Sequence, residues 1–327
     1  MAIATFGVEA RCNSNAILAV LAAASIMARA EEAPDAAGAA TNSPAQRAGS
    51  VFVPHHEANL APEKSLPDKS GYTLFNPTPE QYMRELSADR PDKTDCPFTV
   101  DAGHFQAELD YANYTSDSPS AQPAVKAEGY QIAPMNLKVG LLNNVDFQLV
   151  LAPYQQVRTK DESTGKVEYQ SGFGDIMPRA KVNLVGNDGG PFALALIPFV
   201  KFPTAQDHLG NGAYEGGLGI PYAFDVPNWE VGFQTTFSAN HDDLGRGYHA
   251  EFANSVSVGH ALIGKLSGYV EFYSSVSTER GADWVGTVDT WLTYKLTKNL
   301  QLDGGAYIGV TRAADDLHLW IGMTWRH

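Results

Sequence analysis

The sequence predicts an all-β fold, a closed antiparallel transmembrane β-barrel of about twelve strands preceded by an irregular N-terminal segment. Three observations carry this. Apolar and polar residues alternate with period two from His104 almost to the last residue. The links between the alternating segments are long and short in turn. A single apolar run stands at the N-terminus, too short to cross a membrane as a helix.

The N-terminal run, Ala16–Ala28, follows Arg11 and leads into Ala28-Arg29-Ala30, a small-x-small pattern. A basic start, an apolar centre and such a cleavage site describe a secretory signal peptide over residues 1–30, cut after Ala30. Cys12 leaves with it, so the mature chain keeps only Cys96 and has no intramolecular disulfide. The exported chain must then be held by a core or by a closed sheet.

Residues 31–97 follow, rich in Ala, Pro, Asp, Glu and Ser up to about residue 90 and without helical or strand periodicity. They read as a periplasmic tether or a plug for a barrel lumen. Thr78-Pro79-Glu80 resembles a helix start, which places a short helical piece at Gln81–Leu86.

The barrel is expected over residues 98–327. Its strands fall at about 104–114, 128–141, 145–157, 174–184, 192–203, 216–226, 229–239, 249–259, 265–277, 284–296, 300–311 and 317–327. Many match the roughly ten-residue tilted strand that crosses a bilayer. Long polar links at Thr115–Ala127, Arg158–Phe173, Thr204–Glu215 and Asn240–Tyr248 alternate with short turns such as Asn143-Asn144 and Pro227-Asn228. A soluble β-sandwich also alternates, but it carries no such two-sided length rule.

If the apolar faces meet lipid, the opposite faces line a lumen where charge is tolerated because water reaches it. The lumen candidates are Glu108, Asp110, Lys138, Gln148, Arg179, Lys181, Lys201, Glu230, Gln234, Glu251, Glu271, Asp289 and Asp303. Acids and bases are interleaved, as in a cross-lumen ion-pair network or a filter for solutes. Tyr114, Tyr154, Tyr222, Trp229, Trp284, Tyr294 and Trp325 are candidates for interfacial aromatic girdles.

Other chemistry finds little support. With a formal net charge of −14 the chain has no electrostatic footprint for nucleic acid. Gly259–Lys265 has phosphate-loop spacing, but Leu266 stands where a Ser or Thr must hold magnesium. His55-His56-Glu57 lacks a third metal ligand at useful spacing, and no cofactor or metal site is expected. His249, Glu251 and Ser255 share one face of a strand and sketch a base and nucleophile, although residues 249 and 255 lie about 20 Å apart on an extended strand.

Arg90–Gln106 (RPDKTDCPFTVDAGHFQ), Tyr214–Pro227 (YEGGLGIPYAFDVP) and Asn299–Asp316 (NLQLDGGAYIGVTRAADD) resemble the outer-membrane transporter family associated with the meta-pathway of phenol degradation. The resemblance runs from about Leu86 to the end. It implies a bacterial outer-membrane barrel that passes small molecules, aromatic or hydrophobic ones by the family's name, and it brings no catalytic residue. The expected partners are outer-membrane lipid and lipopolysaccharide, the barrel-assembly machinery and an unidentified small solute. The alternatives are a phospholipase-like barrel hydrolase and a structural or adhesive barrel. Two departures stand out: Cys96 occupies a position expected to hold a small hydroxyl residue, and the chain ends Trp325-Arg326-His327 instead of in Phe.

Overall fold

A computed structural model describes residues 68–118, 125–243 and 247–327. The proposed signal peptide, His55-His56 and the first part of the tether lie outside the described residues. The strands are β1 (Phe105–Asp117), β2 (Val125–Ile132), β3 (Met135–Leu142), β4 (Val145–Leu151), β5 (Tyr154–Asp161), β6 (Val167–Gly172), β7 (Met177–Val185) and β8 (Phe192–Lys201). They continue as β9 (Glu215–Val226), β10 (Trp229–His241), β11 (Tyr248–Ile263), β12 (Leu266–Ser277), β13 (Val285–Thr297), β14 (Leu300–Gly309) and β15 (Leu317–Arg326).

These segments build twelve staves, because β2 with β3, β4 with β5, and β6 with β7 are each one stave interrupted near its middle. Proline marks two of the breaks. Pro134 follows Ala133, which takes φ 54°, and Pro153 separates β4 from β5. Proline has no N–H to give the ladder, so pairing lapses there. All pairings are antiparallel, and β1 pairs with β15 from Gln106↔Arg326 to Ser116↔Leu317, which closes the ring. The last residue completes the closure: Phe105 N–H donates to the His327 carbonyl (3.1 Å) and His327 N–H to the Phe105 carbonyl (2.8 Å).

Closure of β15 on β1 leaves the ring without an edge, which is the condition for a sheet in hydrocarbon, and among the described strands only β6, at the long-loop end, has a ladder on one side alone. Burial is inverted relative to a soluble protein. Leu137, Phe147, Phe237, Leu292, Ile308, Leu319 and Ile321 are exposed on the outside, while Glu108, Lys138, Asp146, Gln148, Lys181, Glu271 and Asp289 are buried within. Such an apolar outer belt is far larger than monomeric soluble proteins expose, and it is the lipid-facing band of a membrane barrel. Among the described residues no helix is long and apolar enough to cross a membrane.

The alternation of link lengths holds, with one refinement. The Arg158–Phe173 link is largely a hairpin in its own right, since β5 runs to Asp161 and β6 starts at Val167. Asp161 closes its turn by accepting from the Ser163 (2.8 Å) and Thr164 (3.1 Å) amides. The short piece expected at Gln81–Leu86 is one 3-10 turn at Glu80–Tyr82, after which Met83 is extended. The helix stops there because the following residues are taken up by tertiary bonds: the Arg84 amide donates to Asp101 Oδ2 (3.0 Å), and the chain then enters the barrel.

Of the girdle candidates, Trp229, Tyr294 and Trp325 lie near the short turns. Tyr114 pairs with Tyr130, which packs 6.4 Å from Tyr154, and Trp284 just precedes β13; these lie toward the long-loop end. Tyr222 sits farther in, stacked on Phe233 at 5.2 Å.

Candidate functional site

Period-two alternation brings distant inward residues into rows across the inner wall. Gln106, Lys138, Gln148 and Arg179 are successive partners across β1, β3, β4 and β7. Ser257, Glu271, Asp289, Tyr307 and His318 form a second row across β11 to β15. The segment Leu86–Asp101 lies between these rows, and its polar groups are bound by side chains from both sides of the ring.

Asp89 is the centre of this arrangement. It is almost fully buried, and its carboxylate meets Lys138 Nζ at 2.6 Å, Lys181 Nζ at short range and Arg179 Nη2 at 3.3 Å. The Cys96 amide also donates to it (3.1 Å). Lys181 Nζ further donates to the carbonyls of Cys96 (2.7 Å) and Phe98 (3.2 Å). Glu108 pairs with Lys138 and accepts from the Asp89 and Arg90 amides (3.2 Å each) and from Gln106 (2.7 Å).

Toward the opposite wall, Arg90 bridges Asp110 and Asp303, which flank Gly322 in the register of β1, β15 and β14. Gly322 makes the bridge possible, because a Cβ there would stand 2.5 Å from both Arg90 Nη atoms. Arg90 also lies 5.5 Å from the Trp320 ring. Lys93 Nζ binds Asp289 (2.8 Å) and Thr287 (2.7 Å), and stands 4.2 Å from the Tyr307 ring centre. The Lys93 amide donates to Glu271 (3.0 Å), which also accepts from the Thr94 hydroxyl; the Asp95 amide donates to Gln234 (2.7 Å).

The base of the segment is tied to the short-turn end. Asp188, in the turn between β7 and β8, accepts from Lys69 (2.6 Å), Arg84 (2.9 Å) and Asn143 (2.8 Å). Burial pushes its carboxyl upward, but Arg84 and the bonds from Lys69 and Asn143 outweigh that and hold it below the ordinary carboxylate range. Gly140 lets the backbone pass at the wall, since a Cβ there would stand 2.1 Å from the Asp101 carbonyl oxygen.

Two vestibules flank the segment. One, of about 280 Å³, is lined by Asn113, Gln131, Gln155, Asp315 and His318 on the long-loop side. The other, of about 490 Å³ at the short-turn end, is basic, with Arg84, Lys265, Lys295, Lys298 and Arg326 in its walls. Beside the segment itself lie gaps of about 20 and 10 Å³, room for a single water molecule at most.

Of the remaining candidates, Lys201 pairs with Asp175 (3.1 Å) and Glu215 (2.7 Å) near the long-loop end, away from the segment. Glu251 accepts from Ser275 (2.6 Å) and Asn240 (3.0 Å), and Glu230 accepts from Tyr269 (2.8 Å). The base and nucleophile sketched on β11 do not meet: Ser255 Oγ is 2.7 Å from Thr94 Oγ1, while His249 faces Asp242. Gly259–Lys265 turns between two strands, with Gly264 at φ 59°, and opens no helix. The inner wall is not polar throughout, because Ala193, Ala195, Ile197 and Ala223 are buried on β8 and β9. Sequence reasoning also missed Asp89, Arg90 and Lys93 as partners of the wall; the charge density of Asp89–Asp95 was the available signal.

A family model described as "Putative MetA-pathway of phenol degradation" matches residues 88–326. The chain belongs to this family. Among solved structures it is similar to an outer-membrane channel from Pseudomonas putida F1, at 15% identity and TM-score 0.55, over 74% of this chain and 100% of that one. This likeness establishes the outer-membrane barrel fold. The NanC porin (9% identity, TM-score 0.43, 66% of this chain and 98% of that one) is a more distant match. So is the transport unit of the autotransporter AIDA-I from Escherichia coli (11%, 0.44, 75% and 94%). No curated protein matches the sequence.

Proposed function

We propose that the protein is an outer-membrane pore for passive movement of small molecules, closed at rest by residues 86–101. The observation that carries this reading is a water-compatible lumen with a vestibule at each end, divided by a segment bound to the wall through buried charge. The outer belt meets lipid, with lipopolysaccharide around the long-loop end, and the barrel-assembly machinery inserts the chain. From the family's description, which names phenol degradation, we infer that the solute is a small aromatic or hydrophobic compound. Tyr269, Trp291, Trp320 and Tyr307 along one inner wall suit such a molecule once the segment moves. No nucleophile and base come together at Ser255, which favours a pore over a hydrolase.

The test is conductance in planar bilayers. Deleting residues 35–85 removes the tether but leaves the clamped stretch in place, whereas deleting residues 35–101 removes both. The second deletion is expected to raise conductance well above the first. Equal conductance in two correctly folded barrels would overturn the reading.

A further inference from the structure

Three side chains from neighbouring staves converge at the long-loop end, away from the lumen segment. Asp242 follows β10, His249 is the second residue of β11, and Glu279 follows β12. His249 Nδ1 is 3.1 Å from Asp242 Oδ1 and 3.7 Å from Glu279 Oε2, and one ligand atom from each residue lies within 4.8 Å of the others.

Nitrogen and carboxylate ligands at about 2.0–2.2 Å from a first-row divalent ion stand roughly 3–3.5 Å from one another. The His249–Asp242 separation lies in that range, and the Glu279 carboxylate stands slightly farther out. The ligands are also held in place. The Asp243 amide donates to Glu279 Oε1 (2.9 Å), which leaves Oε2 turned toward the imidazole. The Asp242 amide donates to the Gly247 carbonyl (3.1 Å), and Gly247 makes room for the carboxylate, since a Cβ there would stand 2.5 Å from Asp242 Oδ2. Among the described residues no lysine or arginine forms a salt bridge with Asp242 or Glu279, whose carboxylates both face the imidazole.

We propose that Asp242, His249 and Glu279 bind a first-row divalent metal ion at the outer mouth, pinning the ends of β10, β11 and β12. One nitrogen and two carboxylates suit zinc, and the remaining positions would be filled by water. The pairing is invisible to motif reading, because the residues are 7 and 30 positions apart and only the sheet register unites them.

Calorimetric titration of the purified full chain with zinc chloride tests this. One site is expected, weakened about tenfold or more in His249→Ala and in Glu279→Gln, since loss of a ligand costs at least what loss of its supporting shell costs. His241→Ala, on the outer face beside Tyr248, is expected to bind as the parent does. A parent chain without zinc binding would overturn the proposal. So would binding that survives His249→Ala but is lost in a His55→Ala/His56→Ala variant.

Discussion

Neutralising one carboxylate is expected to unfasten the lumen segment while leaving the barrel closed. Asp89 is the only acid on the segment that meets three wall cations, Lys138, Lys181 and Arg179. In Asp89→Asn, Lys138 keeps Glu108, and Arg179 keeps Asp95 at 2.9 Å. Lys181 is left with the carbonyls of Cys96 and Phe98 and no carboxylate bonded to it, at a position with no solvent exposure. Breaking a buried pair so that one charge stays behind costs about 3 kcal/mol at the low end. That shifts the bound-to-released equilibrium of the segment about a hundredfold. Two assays read it together: single-channel conductance in planar bilayers, and maleimide labelling of Cys96, which is buried in the parent at 2% exposure. Both are expected to rise, and the folded barrel is expected to keep its strand content by circular dichroism. A folded Asp89→Asn barrel with parental conductance and an unreactive Cys96 would refute the idea that this charge cluster fastens the segment.

Gly140→Ala places a Cβ 2.1 Å from the Asp101 carbonyl oxygen, a backbone atom that cannot swing aside, so thermal melting is expected to begin earlier and Cys96 to label faster. Ile321→Lys puts a charge on the lipid face of β15, where 58% of the residue is exposed, and is expected to cost about 2–4 kcal/mol in folding into liposomes. Unchanged folding yield there would argue that this face is not in contact with lipid. The Asp188 latch should be acid-labile: its carboxyl is held below the ordinary range, so its contribution is complete above about pH 4 and lost as pH falls through the lower folded value. Proteolysis of the tether at low pH is expected to report this, and Asp188→Asn should remove the pH-dependent part.

The barrel was legible because its rule is local. Alternate residues point to opposite sides of a strand, so Phe105, Ala107 and Leu109 against Gln106 and Glu108 fix in and out without any knowledge of partners. Turn lengths then fix the meander. What the lumen holds was not legible to the same degree, because Asp89 finds Lys138 and Lys181 49 and 92 residues away and no periodicity links them. The interruptions escaped notice for a related reason: the expected strands 128–141 and 145–157 run straight through Pro134 and Pro153, and only the pairing shows that the ladder lapses there. The 3-10 turn at Glu80–Tyr82 fell short of the expected helix because Asp101, 17 positions on from Arg84, takes up that residue's amide.

The inverted pattern also bears on how such a chain reaches its membrane. With every second residue polar, the mean hydropathy is only −0.22, and no stretch of the barrel resembles a spanning helix that would be retained on the way out. Apolar surface gathers on one side only when the ring closes, so membrane affinity is a property of the folded barrel and not of the strand. The same logic applies inside. An apolar segment in an apolar bore would be held by a large, non-directional term, whereas Asp89, Arg90 and Lys93 are held by pairs whose free energy depends on geometry and on the exclusion of water. Small displacements that admit water between Arg90 and Asp303, or between Lys93 and Asp289, therefore weaken the attachment steeply. On the proposed reading of a segment that closes the pore at rest, charge is what fastens it and what lets it be released.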